Sequence, residues 1–313
     1  MCMVLYHSLN YLRYNRGGGL LLYLRFLPPS FIFISGFLIT HIYLAKYRAD
    51  DPRLHQRLFT RGAKLLAVFT VLNILVNFFV SRNFNGMRFG FSGFISHLPE
   101  IYFTGAGRKG IFLVLAPIAY LLMFSGMLLR LQSWRFWLPV LFLAAAIGDF
   151  LLDYWDYDAP NLGFIAFGLM GMSFGLSQPR QIDGLARHWI ILSALCAGYV
   201  AFLTWWGDDT WLEYIGVVVM IAFIYSLGRL CTDKSLPSQI LILLGSYSLL
   251  SYIVQILILQ ISIRIFRFAH WHQKVALTGF ILASVGMTGF IKLADWSRKK
   301  HPMIDHAYRA IFA

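Results

Sequence analysis

Charged residues are scarce in this sequence, and their scarcity is the first guide to its class. Asp, Glu, Lys and Arg make up 13% of the 313 residues, whereas soluble domains carry about 25%. Acidic residues number only 14 against 27 basic ones, while 58% of the residues are hydrophobic. These proportions exclude an ordinary soluble domain and predict a protein that crosses the membrane several times.

Cysteine is also rare, with residues only at positions 2, 196 and 231. They show no C-x-x-C spacing and no even count, which excludes a disulfide framework and predicts free thiols. The pair His270 and His272 has no evident third ligand, so no metal is expected. A G-x-S-x-G elbow is missing as well, which removes the commonest hydrolase signal.

The basic excess gives a net charge of +13. In a soluble protein it would suggest nucleic acid, but here basic residues cluster at the ends of apolar segments, where they meet anionic lipid. Membrane lipid is therefore the expected partner, and nucleic acid is not. Because Lys and Arg in short loops favour the cytoplasm, most of them fall inside if both termini are cytoplasmic.

Long apolar runs dominate the chain. With about 20 residues needed to cross a bilayer, ten segments are predicted, with boundaries uncertain by about ±2–4 residues: 1–12, 28–47, 59–80, 110–130, 136–153, 161–177, 188–206, 211–231, 238–263 and 274–296. The expected fold is all-α: a single bundle of about ten transmembrane helices over 1–297, the first one abbreviated, with a short basic cytoplasmic tail at 298–313. Ser81 to Lys109 is too polar to cross and predicts an amphipathic or re-entrant cap.

His7 lies near the end of the first segment, in MVLYHSLNYL. An imidazole at membrane depth is costly and usually faces the bundle interior, so it is a functional candidate. Its unperturbed pKa near neutrality would suit a general base. The alternative is a histidine at the interface that bonds a neighbouring helix, and the sequence leaves both open.

Arg57, Arg61 and Lys64 are spaced i, i+4 and i+7, which places them on one helix face. This basic stripe would suit the phosphates of a donor, because Arg binds phosphate bidentately. The alternative is ordinary positive-inside anchoring, which the spacing does not exclude. Asn73 and Asn77 continue down the same segment and are expected to join helices.

Asp149 and Asp153 are i, i+4 neighbours at the end of the fifth segment, in GDFLLDYWDYDAP, and Trp155 follows. Carboxylates beside aromatic rings are typical of sugar sites, since rings stack on sugars and carboxylates accept from hydroxyls. An interfacial aromatic belt with solvated acids is the alternative. Asp149, the deepest acid, joins His7 as a candidate catalytic residue, and Asp153 and Trp155 are candidate substrate-binding residues.

Four stretches together resemble the multi-pass membrane acyltransferases: MVLYHS, FIFISGFLI…RLFTRGAKLL, LGSYSLLSYIVQ and HPMIDHAYRAIFA. That clan includes the acyltransferase-3 group, the OpgC-like proteins and the heparan-α-glucosaminide N-acetyltransferase-like group. The resemblance covers most of the chain in order.

The resemblance implies an enzyme that transfers an acyl group from a cytosolic acyl-CoA, acetyl-CoA in particular, to a sugar or glycan. His7 would be the catalytic histidine, activating the acceptor hydroxyl or amine or transiently holding the acyl group. Arg57, Arg61 and Lys64 would contact the acyl-CoA, and the small pair Ser35 and Gly36 would let helices approach closely. A bacterial inner membrane is the location it implies.

Two departures from the family pattern keep other classes open. The Arg-Gly pair before the first helix is absent, so we expect either a start upstream of Met1 or a degenerated N-terminus. Gln255 stands where many relatives have a histidine, and Gln cannot act as a base. The rivals are a transporter or flippase with buried His7, His41 and Asp149, and a catalytically inactive membrane scaffold.

Overall fold

The protein is mainly helical in a computed structural model that describes residues 1–12, 19–79, 82–84, 87–89, 91–105, 111–207, 209–230, 235–268 and 275–312. The N-terminal elements are α1 (Cys2–Leu12), α2 (Gly19–Leu22), and α3 (Leu27–Leu38), which continues through a π-helical turn (Ile39–Tyr43) into α4 (Leu44–Lys46). They are followed by α5 (Pro52–Phe79), the hairpin strands β1 (Arg82–Phe84) and β2 (Met87–Phe89), α6 (Phe91–Ser96) and a second π-helical turn (Glu100–Thr104).

The remaining elements are all helices. They are α7 (Leu115–Leu128), α8 (Trp134–Tyr154), α9 (Pro160–Phe174), α10 (Pro179–Arg187), α11 (Trp189–Trp206), α12 (Thr210–Leu230), α13 (Leu236–Ser246), α14 (Ser248–Phe268), α15 (Val275–Lys300) and α16 (Pro302–Phe312). In the described part of the chain, 7 helices are long and apolar enough to cross a membrane, and α7 and α9 are shorter apolar helices. The all-α membrane fold is thus confirmed, while the number of ten spans stays a prediction.

The structure differs from the sequence expectation at several element boundaries. The basic connection after the second segment is mostly helical, because α5 begins at Pro52, where the Asp51 carboxylate accepts a 2.8 Å hydrogen bond from the Arg53 amide. The segment 238–263 is two helices, since Tyr247 leaves helical geometry at φ −112° and ψ 32°. The described parts of the polar stretch 81–109 contain the β1–β2 hairpin, α6 and the second π-helical turn.

The chain divides into two compact units, residues 1–27 with 185–313 and residues 28–184. In the first unit, α1 packs on α14 and α15, which also pack on each other, and α11 packs on α12. In the second unit, α5 packs on α7, α8 on α9, and α7 on α9. The boundaries 1–297 and 298–313 expected from the sequence stay a prediction.

Glycines let α3 and α9 approach closely within the second unit. A Cβ on Gly36 would overlap the carbonyl oxygen of Gly168, and a Cβ on Gly171 would overlap that of Phe33. Thr40 adds a 2.7 Å hydrogen bond to the carbonyl of Met172. The close helix approach expected at Ser35 and Gly36 is therefore confirmed at Gly36, as in other small-residue membrane contacts.

We expect Gly171→Ala to destabilise the fold, because its methyl group would meet the rigid backbone of Phe33. Overpacking of this kind costs roughly 1–3 kcal/mol. Gly198→Ala is the matched control, since nothing lies within 4 Å of a Cβ at that helical glycine. The measurement is thermal unfolding in detergent, and equal midpoints for the two variants would contradict the close contact.

Candidate active site

His7 is held by the packing of α1. The buried side chains of this helix lie on one side and face neighbours in the first unit: Met3, Val4, His7, Ser8 and Leu12. Leu12 fits over Gly279 of α15, where an added Cβ would overlap Leu12 Cδ1. A short but closely packed helix thus fixes the position of His7.

Three tyrosines surround the His7 imidazole and form what we term the tyrosine enclosure. Ring centroids lie 5.3 Å away for Tyr6, 5.5 Å for the stacked ring of Tyr11, and 5.9 Å for Tyr252 of α14. His7 is only 6% exposed. Within the described residues, both of its ring nitrogens, Nδ1 and Nε2, have no hydrogen-bond partner.

An unpaired, buried imidazole is able to accept a proton from a substrate. Leaving a buried polar atom without a partner costs about 1–3 kcal/mol, so such atoms are rare in native proteins and call for an explanation. A ring nitrogen that binds no protein group can accept the proton of a substrate hydroxyl or amine. The geometry at His7 therefore suits a general base.

The tyrosine enclosure was not anticipated from the sequence. Tyr6 is adjacent to His7 and Tyr11 lies at i+4, which is a signal for ring contact on a helix, but Tyr252 comes from a distant segment. Gln255 lies one turn after Tyr252 on α14 and is buried, 3% exposed. The expectation that it replaces a family histidine stays a prediction.

The structure places the basic stripe on α5 in the second unit. Arg57 donates from Nη1 to the Tyr47 hydroxyl at 2.9 Å. Arg61 donates to the Tyr43 hydroxyl, and its guanidinium lies 5.6 Å from the centroid of that ring. Lys64 is half-buried. Two tyrosines near the end of the preceding helix therefore orient both guanidinium groups.

The amide side chains further along α5 are structural. Asn73 Nδ2 donates to the carbonyl of Ile111 at 2.8 Å, and the Ile111 amide donates to Asn73 Oδ1 at the same distance. Asn77 Nδ2 donates to the Asn73 carbonyl at 2.8 Å. The expectation that these amides join parts of the bundle is confirmed for Asn73.

The acidic candidates are only partly brought together. Asp149 is half-buried against α9, where a Cβ on Gly163 would lie 2.6 Å from its Oδ1. Asp153 is exposed one turn later, and Trp155, directly after α8, is 67% exposed. Asp149 thus lies between two helices, whereas Asp153 and Trp155 lie at the open end of α8.

A metal site needs several His, Cys, Asp or Glu side chains close together, and this can be judged for the described residues. Over those ranges, no group of three or more His, Cys, Asp or Glu side chains could hold a metal ion. His270 and His272 lie outside the described residues.

His7 belongs to the first unit, while the basic stripe and Asp149 belong to the second.

The long apolar helices identify a membrane protein that crosses the bilayer several times. The buried, unpaired imidazole of His7 is its candidate base. The family model of the acyltransferase-3 proteins, which is described as an acyltransferase domain, matches residues 1–294 of the chain. The chain belongs to this family and is a multi-pass membrane acyltransferase. Neither the comparison with curated proteins nor that with solved structures found a match.

We expect His7→Phe to keep or raise the thermal stability of the protein. Phenylalanine suits an aromatic enclosure, and the change removes two buried atoms that have no partner. Leu12→Ala, on the same helix, is the control and should lose about 2–5 kcal/mol. If His7→Phe lowers the unfolding midpoint as much as Leu12→Ala does, His7 is a structural residue.

Proposed function

We propose that this acyltransferase moves an acyl group, acetyl in particular, from cytosolic acyl-CoA to a hydroxyl or amine of a sugar or glycan. The observation that carries the proposal is the unpaired imidazole of His7 inside the tyrosine enclosure. The family supplies the reaction class, and His7 supplies a group that can perform it. The bacterial inner membrane, with both termini cytoplasmic, is the proposed location.

In the proposed reaction His7 acts as a general base. One ring nitrogen accepts the proton of the acceptor group while the acceptor oxygen or nitrogen attacks the thioester carbonyl. The C–S bond then breaks and CoA leaves as the thiolate. His7 returns its proton to this thiolate, which gives the CoA thiol. A route in which His7 holds the acyl group transiently uses the same free nitrogen. No metal takes part in either proposed route.

The basic stripe is the proposed docking surface for the phosphates of the donor. Its three cations share one face of α5, and hydrogen bonds from Arg57 and Arg61 to Tyr47 and Tyr43 reduce the freedom of both guanidinium groups. Oriented guanidinium groups bind phosphate oxygens bidentately, and Lys64 adds a point charge. Plain anchoring to lipid would not require this orientation by tyrosines.

The proposed acceptor is a carbohydrate near the end of α8. Trp155 offers an exposed ring for stacking on a sugar, and the Asp153 carboxylate can accept hydrogen bonds from sugar hydroxyls. Asp149 is proposed as the second catalytic residue, because it is the half-buried acid of this group. These assignments rest on residue chemistry and exposure.

The test uses purified full-length protein with acetyl-CoA and a mixed glycan pool, measuring CoA release and label transfer. Wild type should turn over, and His7→Phe should lose at least about 100-fold in kcat, the usual contribution of a general base. Ser8→Ala is the control: the hydroxyl of this buried neighbour donates to the Leu5 carbonyl of its own helix at 2.9 Å, and the variant should retain turnover. A folded wild type that releases CoA from no acyl-CoA would instead favour a transporter or an inactive scaffold.

A second prediction separates donor binding from chemistry. Arg61→Gln should raise the KM for acetyl-CoA by about 10-fold to 100-fold with little change in kcat, because a hydrogen bond to a charged group contributes about 1.5–3 kcal/mol. Arg135→Gln, an exposed arginine of α8 whose guanidinium lies over Trp134, should leave the KM unchanged. A fall in kcat at constant KM would contradict phosphate binding by the basic stripe.

A further inference from the structure

The C-terminal helix α16 follows directly on a membrane-spanning helix. The candidate span in α15 covers Ala276–Lys300, and α16 begins at Pro302 after a single connecting residue, His301. Proline is well suited to the first position of a helix, where its missing amide hydrogen is not needed. The start of α16 is therefore fixed directly after the candidate membrane span of α15.

Arg298 fastens α16 to α15. Its Nε and Nη2 donate to Asp305 Oδ1 at 2.9 and 2.6 Å, and Arg309 bonds the other carboxylate oxygen at 2.6 Å. The guanidinium of Arg298 also lies 3.8 Å from the ring centroid of Tyr308. Hydrogen bonds from Arg298 lower the pKa of Asp305, so this carboxylate stays charged at neutral pH.

One side of α16 remains apolar and exposed when the helix is held against α15 by Arg298. At 100° per residue, a single arc next to the docked face contains Met303, Ile304, Ala307, Ala310 and Ile311. Within this apolar arc Met303 is 85% exposed, Ile304 43% and Ile311 49%. Five exposed residues on one arc form a continuous surface.

The charged groups near the apolar arc carry a net positive charge. His306 borders the arc, and Arg309 lies further round α16. The end of α15 and α16 together hold four cations, two acids and three ion pairs: Arg298, Lys299, Lys300 and Arg309 against Asp295 and Asp305. An apolar face beside an excess of cations is the pattern of helices that lie in the headgroup layer of anionic membranes.

We propose that α16 is an interfacial helix that inserts its apolar arc into the leaflet where α15 ends, with His306, Arg309, Lys299 and Lys300 among anionic headgroups. The lipid is the favoured occupant because the apolar arc begins within one turn of a membrane-spanning helix. The net positive charge beside the arc complements anionic lipid. This inference gives the expected short basic cytoplasmic tail the role of an anchored helix and is independent of the proposed reaction.

The test uses spin labels on the full-length protein in lipid nanodiscs that contain anionic lipid. Single cysteines are introduced by Met303→Cys, Ile311→Cys or His306→Cys, in a background that carries Cys2→Ser, Cys196→Ser and Cys231→Ser. Collision of each label with oxygen reports lipid, and collision with a water-soluble nickel chelate reports solvent. Labels at 303 and 311 should favour oxygen, whereas the control label at 306 should favour the chelate.

Each other outcome overturns part or all of the proposal. If the chelate reaches the labels at 303 and 311 as readily as the label at 306, the apolar arc faces water. If both reagents are excluded and the labels are immobile, a second copy or another protein covers it. Exchanging anionic for zwitterionic lipid should reduce insertion at 303, and unchanged insertion would refute the role of the net positive charge. Two positions on the apolar arc guard against the misfolding of either variant.

Discussion

In a lipid bilayer, a polar group that finds no partner within the protein has no water to bind instead, and most of this structure satisfies that constraint. Asn73 pairs with both backbone groups of Ile111, as a neighbouring strand residue would. Thr40 bonds the Met172 carbonyl of α9 at 2.7 Å, and Ser125 bonds the Leu121 carbonyl of its own helix at 2.6 Å. Both hydroxyls therefore have a partner within the protein.

His7 departs from this constraint. In the described residues, both of its nitrogens are unpaired, whereas His55 and Ser284 each have one buried atom without a partner. The closely packed α1 and the tyrosine enclosure hold the imidazole in place without using its nitrogens. A buried imidazole that is held by packing while its nitrogens have no partner suits the proposed role of a general base.

Cationic groups in this protein are used in two different ways. Arg57 and Arg61 donate to neutral tyrosine hydroxyls, which orient the two guanidinium groups. Arg298 is paired with a carboxylate and lies over an aromatic ring, so its charge holds α16 in place. The same residue type thus suits ligand binding on α5 and fold stability at the end of α15.

The amino-acid sequence by itself determined the all-α membrane fold, because apolar runs of bilayer length are local patterns, and it singled out His7 and the basic stripe by composition and spacing. The start of α5 at Pro52 follows a local signal, the cap from Asp51, that the apolar pattern alone did not show. The sequence could not show that Tyr247 divides one apolar run or that Tyr252 reaches His7. Only the tertiary structure decided these, since they depend on contacts such as Tyr247 with Asp295 at 2.9 Å between residues distant in the chain. Whether a buried nitrogen has a partner is likewise a property of packing.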